Sequence, residues 1–179
     1  MFFIETKSLI IRDMELKDET AFVAISQNKK YQRFYSEEDY DPKKYHDLTR
    51  LFIAQAIENP RVEYQLAIEF KDTHEFIGTV CLRVEDDFQA SMGCGLSRSF
   101  QGGNLIFEAV SALASFGFNE LGVHRIYAET ISENSAAIKL CEKIGMRREA
   151  LLKEHRYFKD RWWDTVILAV LHNEFKPCA

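Results

Sequence analysis

Two adjacent glycines, Gly102 and Gly103, stand directly in front of an apolar segment with helical spacing. Glycine pairs are common where a chain turns sharply or where another group approaches its peptide bonds closely. A helix that begins just after them has N–H groups without partners in its first turn, and such groups can bind an anion. The pair therefore predicts either a plain connecting loop or an anion-binding loop.

The length and charge of the chain exclude several classes of protein. A chain of 179 residues predicts a single domain, 1–179, with its core at about 8–174. It has no apolar run of about 20 residues, and its first residues lack the pattern of a signal peptide, so we expect a cytoplasmic protein without a membrane partner. The net charge of −5 argues against a nucleic-acid partner, since phosphate binding needs clustered Lys and Arg.

The four cysteines, Cys81, Cys94, Cys141 and Cys178, are scattered along the chain. None of them is paired at the spacing of a metal site, so we expect no metal. Three of them lie in apolar segments, where a buried free thiol behaves as a small hydrophobic group. The expected compartment favours the reduced state.

Hydrophobic periodicity and turn residues predict a mixed α/β or α+β sheet protein. Asp41 followed by Pro42 predicts the start of a helix, because the first residue caps and the second suits a first turn. The predicted strands cover 8–14, 63–70, 75–84, 90–96, 124–131, 146–157 and 163–171, and the predicted helices begin near 16, 42, 105 and 134. The last two strands are expected to form a hairpin that turns at "FKDR".

Four segments carry a resemblance to a known family. They are "IETKSLIIRDMELKDETAFV", the strand "SMGCGLS" with its Gly-Gly loop and helix, "HRIYAETISENSAAIKLCEKIGMRRE" and "REALLKEHRYFKDRWWDTVILAVL". In this order and spacing they resemble the GNAT superfamily of acyl-CoA-dependent N-acyltransferases, in particular its RimJ/RimL-like branch, named for ribosomal-protein N-terminal acetyltransferases. The resemblance covers nearly the whole chain. It implies the GNAT fold, in which helices flank a mixed, mostly antiparallel central sheet that is splayed at the acyl-CoA site.

The resemblance also implies a binding site for acetyl-CoA as co-substrate. The pantetheine arm would pair with the strand groups of 94–96, and the diphosphate would lie on the amides of 101–106. The family's phosphate loop retains its central glycine, Gly102, but has Ser99 and Asn104 at two other motif positions, and Asn104 tolerates unusual backbone angles. The cofactor-binding residues so implied are Cys94, Gly95, Leu96, Gln101, Gly102, Gly103, Asn104, Leu105, Ile106 and Asn134.

The catalytic residues are harder to assign. Asn134 matches a family asparagine, and it is read either as a plain helix cap or as a hydrogen-bond donor to pantetheine or to a water. Many GNAT enzymes have a tyrosine at the position of Cys141, which this branch typically lacks, and Cys141 is expected to be buried here. The branch often has a glutamate at the position of Ser91 and a serine at that of Ala137. The remaining candidates for the general base are Glu85 and His155, with Glu69, Asp86 and Asp87 as further carboxylates.

The segment "YQRFYSEEDYD" bridges the first two predicted helices, a region that forms part of the acceptor wall in this family. Phe34 and Tyr35 with Glu37, Glu38 and Asp39 are expected either to hold an ammonium group or to form an ordinary polar loop. The predicted activity is transfer of an acetyl group from acetyl-CoA to a primary amine, on a protein N-terminus or a small molecule, through a ternary complex. The alternative is a non-catalytic acyl-CoA-binding regulatory module, which Ser91, Ala137 and Cys141 suggest. A homodimer stays an open alternative.

Overall fold

The computed structural model describes residues 1–177, and in that range eight strands form one sheet. In chain order the strands are β1 (Phe3–Glu5), β2 (Leu9–Asp13), β3 (Glu63–Phe70), β4 (Glu75–Glu85), β5 (Gln89–Leu96), β6 (Arg125–Ile131), β7 (Arg147–Phe158) and β8 (Arg161–Leu171). Their order across the sheet is β1-β2-β3-β4-β5-β6-β8-β7. Every neighbouring pair is antiparallel except β5 and β6, so the predicted mixed, mostly antiparallel sheet is confirmed.

Four α-helices cover the two faces of this sheet within residues 1–177. They are α1 (Glu19–Ser26), α2 (Pro42–Gln55), α3 (Leu105–Asn119) and α4 (Ser135–Ile144). Alternate residues of a strand point to opposite faces. Leu66 and Ile68 of β3 accordingly pack in the core under α3 and α4, whereas Ala67 between them packs in the smaller cluster under α1 and α2. The flanking helices of the predicted fold class are thereby confirmed.

Local sequence signals fix the ends of two helices. The side chain of Asp41 accepts a hydrogen bond from the N–H of Lys43 at 2.8 Å, and Pro42 occupies the first turn, as predicted for α2. Gly145 ends α4 with a φ of +100°, and the N–H of Met146 donates back to the carbonyl of Cys141. Glycine suits this left-handed position because it carries no Cβ.

The start of the chain differs from the prediction in two places. Strand β1 was not predicted, because three residues are too few to show a periodicity. The first helix begins at Glu19 rather than near Leu16, which is 63 % exposed and lies in a 3₁₀ turn. The cause is Asp18, whose two carboxylate oxygens accept hydrogen bonds from Arg12 and hold the turn against the sheet.

The sheet opens between its two parallel strands. Strand β5 pairs with β6 only from Gln89 to Ser91, opposite Arg125 to Tyr127. Beyond Ser91, β5 stays paired with β4, and β6 stays paired with β8. The two strands therefore diverge, which is the splay that the family resemblance implies.

Two further observations bear on the sequence-based expectations. No helix within residues 1–177 is both long enough and apolar enough to cross a membrane. Cys81 and Cys141 are buried free thiols, whereas Cys94 is exposed, and Cys178 lies outside the described residues.

Candidate functional site

The gap between β5 and β6 opens into the larger of two adjoining cavities, the main cavity, of about 930 Å³. Its walls are the end of α1 with the segment that follows it, the open half of β5, the loop before α3 and the first turn of α4. A cavity of this size falls in the range of sites for small molecules and cofactors.

The open half of β5 presents main-chain groups to the main cavity. The N–H of Ser97 donates to the carbonyl of Ile77 in β4 at 2.7 Å, which sets the alternation of the antiparallel ladder. The main-chain groups of Gly93 and Gly95 therefore face β4, and those of Cys94 and Leu96 face the gap. The carbonyl of Leu96 accepts a hydrogen bond from Gln101 Nε2 at 2.9 Å. The other three groups of Cys94 and Leu96 are available to a ligand that lies along the strand.

The glycine loop before α3 adds unpaired donors. Gly102 has a φ of +93°, and no atom lies within 4 Å of the position that a Cβ would take. Asn104 has ordinary right-handed angles and no capping hydrogen bond, so the unusual conformation falls on Gly102. The N–H of Gln101 donates to the carbonyl of Arg98, and the next backbone N–H with an acceptor within residues 1–177 is that of Glu108. The N–H groups of 102–107 are therefore free. Free N–H groups at the start of a 15-residue helix suit an anion.

Tyr31 brings a hydroxyl group to the same strand. A Cβ on Gly95 would lie 3.2 to 3.3 Å from the ring and hydroxyl of Tyr31, so the absence of a side chain at Gly95 permits this close contact. The hydroxyl of Tyr45 donates to that of Tyr31 at 3.4 Å, and the ring of Tyr35 stacks on that of Tyr31 with centroids 5.0 Å apart. Burial raises the pKa of Tyr31 well above its ordinary value and that of Tyr35 to about 12. Both hydroxyls are therefore neutral donors at physiological pH.

The two cysteines near the gap are poor nucleophiles. Cys94 is exposed where it lines the main cavity, and partial removal of water by the cavity walls raises the pKa of its thiol. Cys141, on the buried side of α4, lines neither of the two adjoining cavities, and burial raises its pKa to about 11. The thiolate is the reactive form. The predicted burial of Cys141 is confirmed.

The smaller cavity, of about 350 Å³, is the second cavity, and it adjoins the first. Phe34, Tyr35 and Asn134 line both of them. Its other walls come from the segment before α2, the first half of α2, the open half of β6 and the middle of β7 and β8.

Asn134 lies where the two cavities meet. Its Oδ1 accepts a hydrogen bond from the N–H of Ala137 at 3.3 Å, so the predicted helix cap is confirmed. Its Nδ2 donates to Thr130 Oγ1 at 3.2 Å. An amide nitrogen has two hydrogens. One N–H of Asn134 is therefore left for a ligand in addition to the capping bond.

The charged groups of the second cavity fall into two sets. Asp39 forms ion pairs with Lys44 at 2.7 Å and with Arg156 at 3.6 Å. Burial acts to raise the pKa of Asp39, but hydrogen bonds from Lys44 and Ser36 and the charge of Lys44 hold it below its ordinary value. Glu129, on the open half of β6, has no ion-pair or hydrogen-bond partner among residues 1–177. His155 Nδ1 lies 3.0 Å from Thr165 Oγ1.

The structure gathers most of the predicted cofactor residues at one place. Asn104 and Leu105 are not wall residues of the main cavity but follow directly on the glycine loop, and the side chain of Asn104 accepts a hydrogen bond from Lys143. The wall residues from the predicted set are Cys94, Gly95, Leu96, Gln101, Gly102, Gly103, Ile106 and Asn134.

The predicted acceptor and base residues are dispersed. His155 lines the second cavity, whereas Glu37 and Glu38 are exposed and line neither the main nor the second cavity. Glu85 accepts hydrogen bonds from the hydroxyl of Tyr127 at the paired end of β5, away from the gap. Glu69 is buried against Arg12 and His74.

Three charged residues of the second cavity, Lys44, Glu129 and Arg156, were missed in the sequence. Glu129 follows Tyr127 by two residues, so strand alternation puts both on the same face of β6, but this alternation does not mark a cavity residue. Arg156 lies at an irregularity in the pairing of β7 with β8, and no sequence pattern marked it. Within residues 1–177 no group of three or more potential metal ligands is found.

Comparisons with known proteins place this architecture in a family. The family described as "Acetyltransferase (GNAT) domain" matches residues 8–147. The chain is 25% identical over 173 residues to the uncharacterized N-acetyltransferase p20 of Bacillus licheniformis, a match that covers 95% of this chain and 96% of that protein. It is 27% identical over 109 residues to the [ribosomal protein uS5]-alanine N-acetyltransferase of Escherichia coli, with 59% of this chain and 56% of that protein covered.

A solved structure agrees with the fold. Spermidine N-acetyltransferase from Vibrio cholerae, in complex with CoA and spermine, superposes with a TM-score of 0.81 at 21% identity. The superposition covers 94% of this chain and 98% of that one. It shows the fold, whereas the ribosomal-protein relative agrees with the predicted resemblance to the RimJ/RimL-like branch.

Proposed function

The chain belongs to the GNAT acetyltransferase family, and from this we propose that it transfers an acetyl group from acetyl-CoA to a primary amine in a ternary complex. The observation that carries the proposal is the pair of adjoining cavities. One is lined by main-chain donors and the other by charged side chains, and they meet at Asn134. Direct transfer needs two substrates side by side, and this arrangement supports it.

The main cavity fits the chemistry of acyl-CoA. The free N–H groups of 102–107 would hold the diphosphate, with positive charge from the start of α3. The amides of the pantetheine arm would pair with the free main-chain groups of Cys94 and Leu96 as an added strand. Lys30, Arg33 and Arg98 also line this cavity and outnumber its two carboxylates, Glu75 and Glu133, so its walls favour a polyanion.

Two kinds of donor would polarise the thioester carbonyl. One is a main-chain N–H of the open half of β5, at Cys94 or Leu96. The other is the hydroxyl of Tyr31, which lines the main cavity beside Gly95 and accepts a hydrogen bond from Tyr45. Donors held in advance at the developing oxyanion are a large source of catalysis. Tyr31 keeps its proton throughout, because its raised pKa disfavours the phenolate.

The amine would bind in the second cavity beside Glu129. An unpaired carboxylate can hold the ammonium form, which first loses one proton to solvent. The neutral amine then attacks the carbonyl carbon, and the carboxylate accepts the second proton that the nitrogen loses. The carbon–sulfur bond breaks, and the thiolate leaves with its electron pair and takes a proton from solvent. An α-amine with a pKa near 8 costs only about 1 kcal/mol to deprotonate at pH 7, against about 4–5 for a lysine amine, so α-amines are the favoured acceptors.

Release of free CoA from acetyl-CoA with a panel of amines and short peptides tests this function. We expect release that depends on the acceptor, whereas an acyl-CoA-binding regulatory module would bind acetyl-CoA without it. Acetyl-CoA at a hundredfold excess over its Kd should stabilise the fold by about 2.7 kcal/mol. No thermal shift at millimolar acetyl-CoA would contradict binding itself. A cytoplasmic location and a homodimer stay predictions, the latter to be tested by light scattering.

A further inference from the structure

We infer that the acceptor is a zwitterion, a primary amine that also carries a carboxylate. Glu129 would hold its amine, and Arg156 with Lys44 would hold its acid group. The inference rests on the proposed function and deepens it, because it names the chemical class that the second cavity selects.

At one end of the second cavity, Lys44 and Arg156 carry two positive charges, and Asp39 supplies one negative charge. The ammonium group of Lys44 pairs with Asp39 Oδ1 at 2.7 Å, and the hydroxyl of Ser36 donates a hydrogen bond to Oδ2 at 2.8 Å. Arg156 is left with an ion pair at 3.6 Å, which is longer than a hydrogen bond. A guanidinium group has five N–H donors in a planar fork that matches a carboxylate. Those of Arg156 have no hydrogen-bond acceptor among residues 1–177, and its side chain is 54% exposed.

The opposite charge lies on another strand. Glu129 is on the open half of β6, and no cation pairs with it among residues 1–177. The second cavity thus has one unpaired carboxylate and one cation in surplus. Their sum is neutral, and their separation gives the cavity a positive and a negative end. A ligand with an ammonium and a carboxylate matches both ends, which a simple amine does not.

The same charges disfavour a polyamine. A second ammonium group needs a second free carboxylate, but both oxygens of Asp39 are engaged by Lys44 and Ser36. The exposed Glu37 and Glu38 do not line this cavity. Like charges placed together inside a partly enclosed site repel strongly. The zwitterion is therefore the better match for the volume of about 350 Å³.

Matched acceptors test the inference through release of free CoA from acetyl-CoA at pH 8.5, where α-amines are mostly neutral. One pair is glycylglycine and glycylglycinamide, and the other is the dipeptide amides Ser-Glu and Ser-Gln. The first places the carboxylate at a chain end, as in an amino acid, and the second places it on a peptide side chain. We expect kcat/KM to be about tenfold higher for the acid in at least one pair, the effect of one charge-assisted hydrogen bond.

Arg156→Gln should reduce that acid-to-amide ratio to below about twofold, because a neutral amide side chain cannot form the ion pair. Arg148→Gln is the matched control, since Arg148 lies on the same strand, is similarly exposed and pairs with Glu142 outside both cavities. It should keep the ratio of the wild type. Melting temperatures of both variants check that the fold is retained.

Several outcomes would overturn the inference. Equal rates for acid and amide in both pairs would contradict it, as would a preference for the acid that survives Arg156→Gln. Faster turnover of spermidine than of every acid would also contradict it, because a polycation has no group for Arg156. If no amine causes free CoA to be released from acetyl-CoA, the proposed function is contradicted, and the inference with it.

Discussion

The main cavity and the second cavity meet at Asn134, but they are built from different kinds of groups. The main cavity offers the backbone: free N–H groups at 102–107 and the main-chain groups of Cys94 and Leu96. The second cavity offers side chains from distant segments, of which Glu129 and Arg156 are examples. A backbone site survives many substitutions because nearly every residue has the same N–H group. A side-chain site changes with each substitution, and this is where we expect the selectivity of the enzyme to lie.

The largest predicted effect separates the two cavities. Glu129→Gln keeps the shape of the side chain but removes the base, so we expect kcat with an amine acceptor to fall by about 10²–10⁴-fold. The Kd for acetyl-CoA, measured by calorimetry, should stay within about twofold, because screened charges act over only about 8–10 Å.

Glu85→Gln is the control for that variant. Glu85 is an exposed strand-end carboxylate outside both cavities, and its only described partner is Tyr127. It should retain turnover. A loss of activity in Glu85→Gln with none in Glu129→Gln would place the amine at the other end of β5.

Gly102→Val should weaken acetyl-CoA binding by about tenfold to a hundredfold, the cost of losing one or two hydrogen bonds to charged groups. A β-branched residue is strained at a φ of +93° and would move the amides of the loop. Gly122→Val is matched to it, since Gly122 has a φ of +68° and also no atom within 4 Å of a Cβ. Both variants should lose similar stability in thermal melts. Equal acetyl-CoA affinity in the two would mean that the diphosphate lies elsewhere.

The smallest effect concerns the hydroxyl pair of Tyr31 and Tyr45. Tyr31→Phe removes one donor to the oxyanion, so we expect kcat to fall by about tenfold, with little change in the KM for acetyl-CoA. Tyr45→Phe removes the hydrogen bond between the two tyrosines but leaves the hydroxyl of Tyr31, and it should cost about twofold or less. A larger loss in Tyr45→Phe than in Tyr31→Phe would assign the pair a structural role only.

The difference between the cavities also explains what the sequence could predict. The mixed, mostly antiparallel sheet, its splay and the glycine loop follow local signals and a family resemblance, and the strands and helices after residue 40 were predicted to within a few residues. Asn134 was identified because it matches a family asparagine at the start of a predicted helix, and its Oδ1 does cap α4. The positive φ fell on Gly102 rather than on Asn104, in line with the freedom of a residue without a Cβ.

The second cavity was less predictable because its charges come from separate strands. Nothing local to "HRIYAETI" distinguishes Glu129 from a solvated strand residue. Its significance comes from the end of the pairing between β5 and β6 at Tyr127, which is a tertiary feature. Glu37 and Glu38 stand next to Asp39 in the sequence, yet only Asp39 of the three lines the second cavity, because the 3₁₀ turn at Glu38–Tyr40 directs neighbouring side chains differently.

The most direct test of the account is a titration of ¹⁵N-labelled protein with CoA, followed through the backbone amide signals. We predict the largest shifts at the amides of 102–107, with further shifts at Cys94 and Leu96, since these N–H groups gain acceptors only when the ligand binds. The amide signals of residues around Glu129 and Arg156 should shift only when an amine acceptor is added as well. Saturable CoA binding that does not shift the amide signals of 102–107 would contradict the assignment of the main cavity to acyl-CoA.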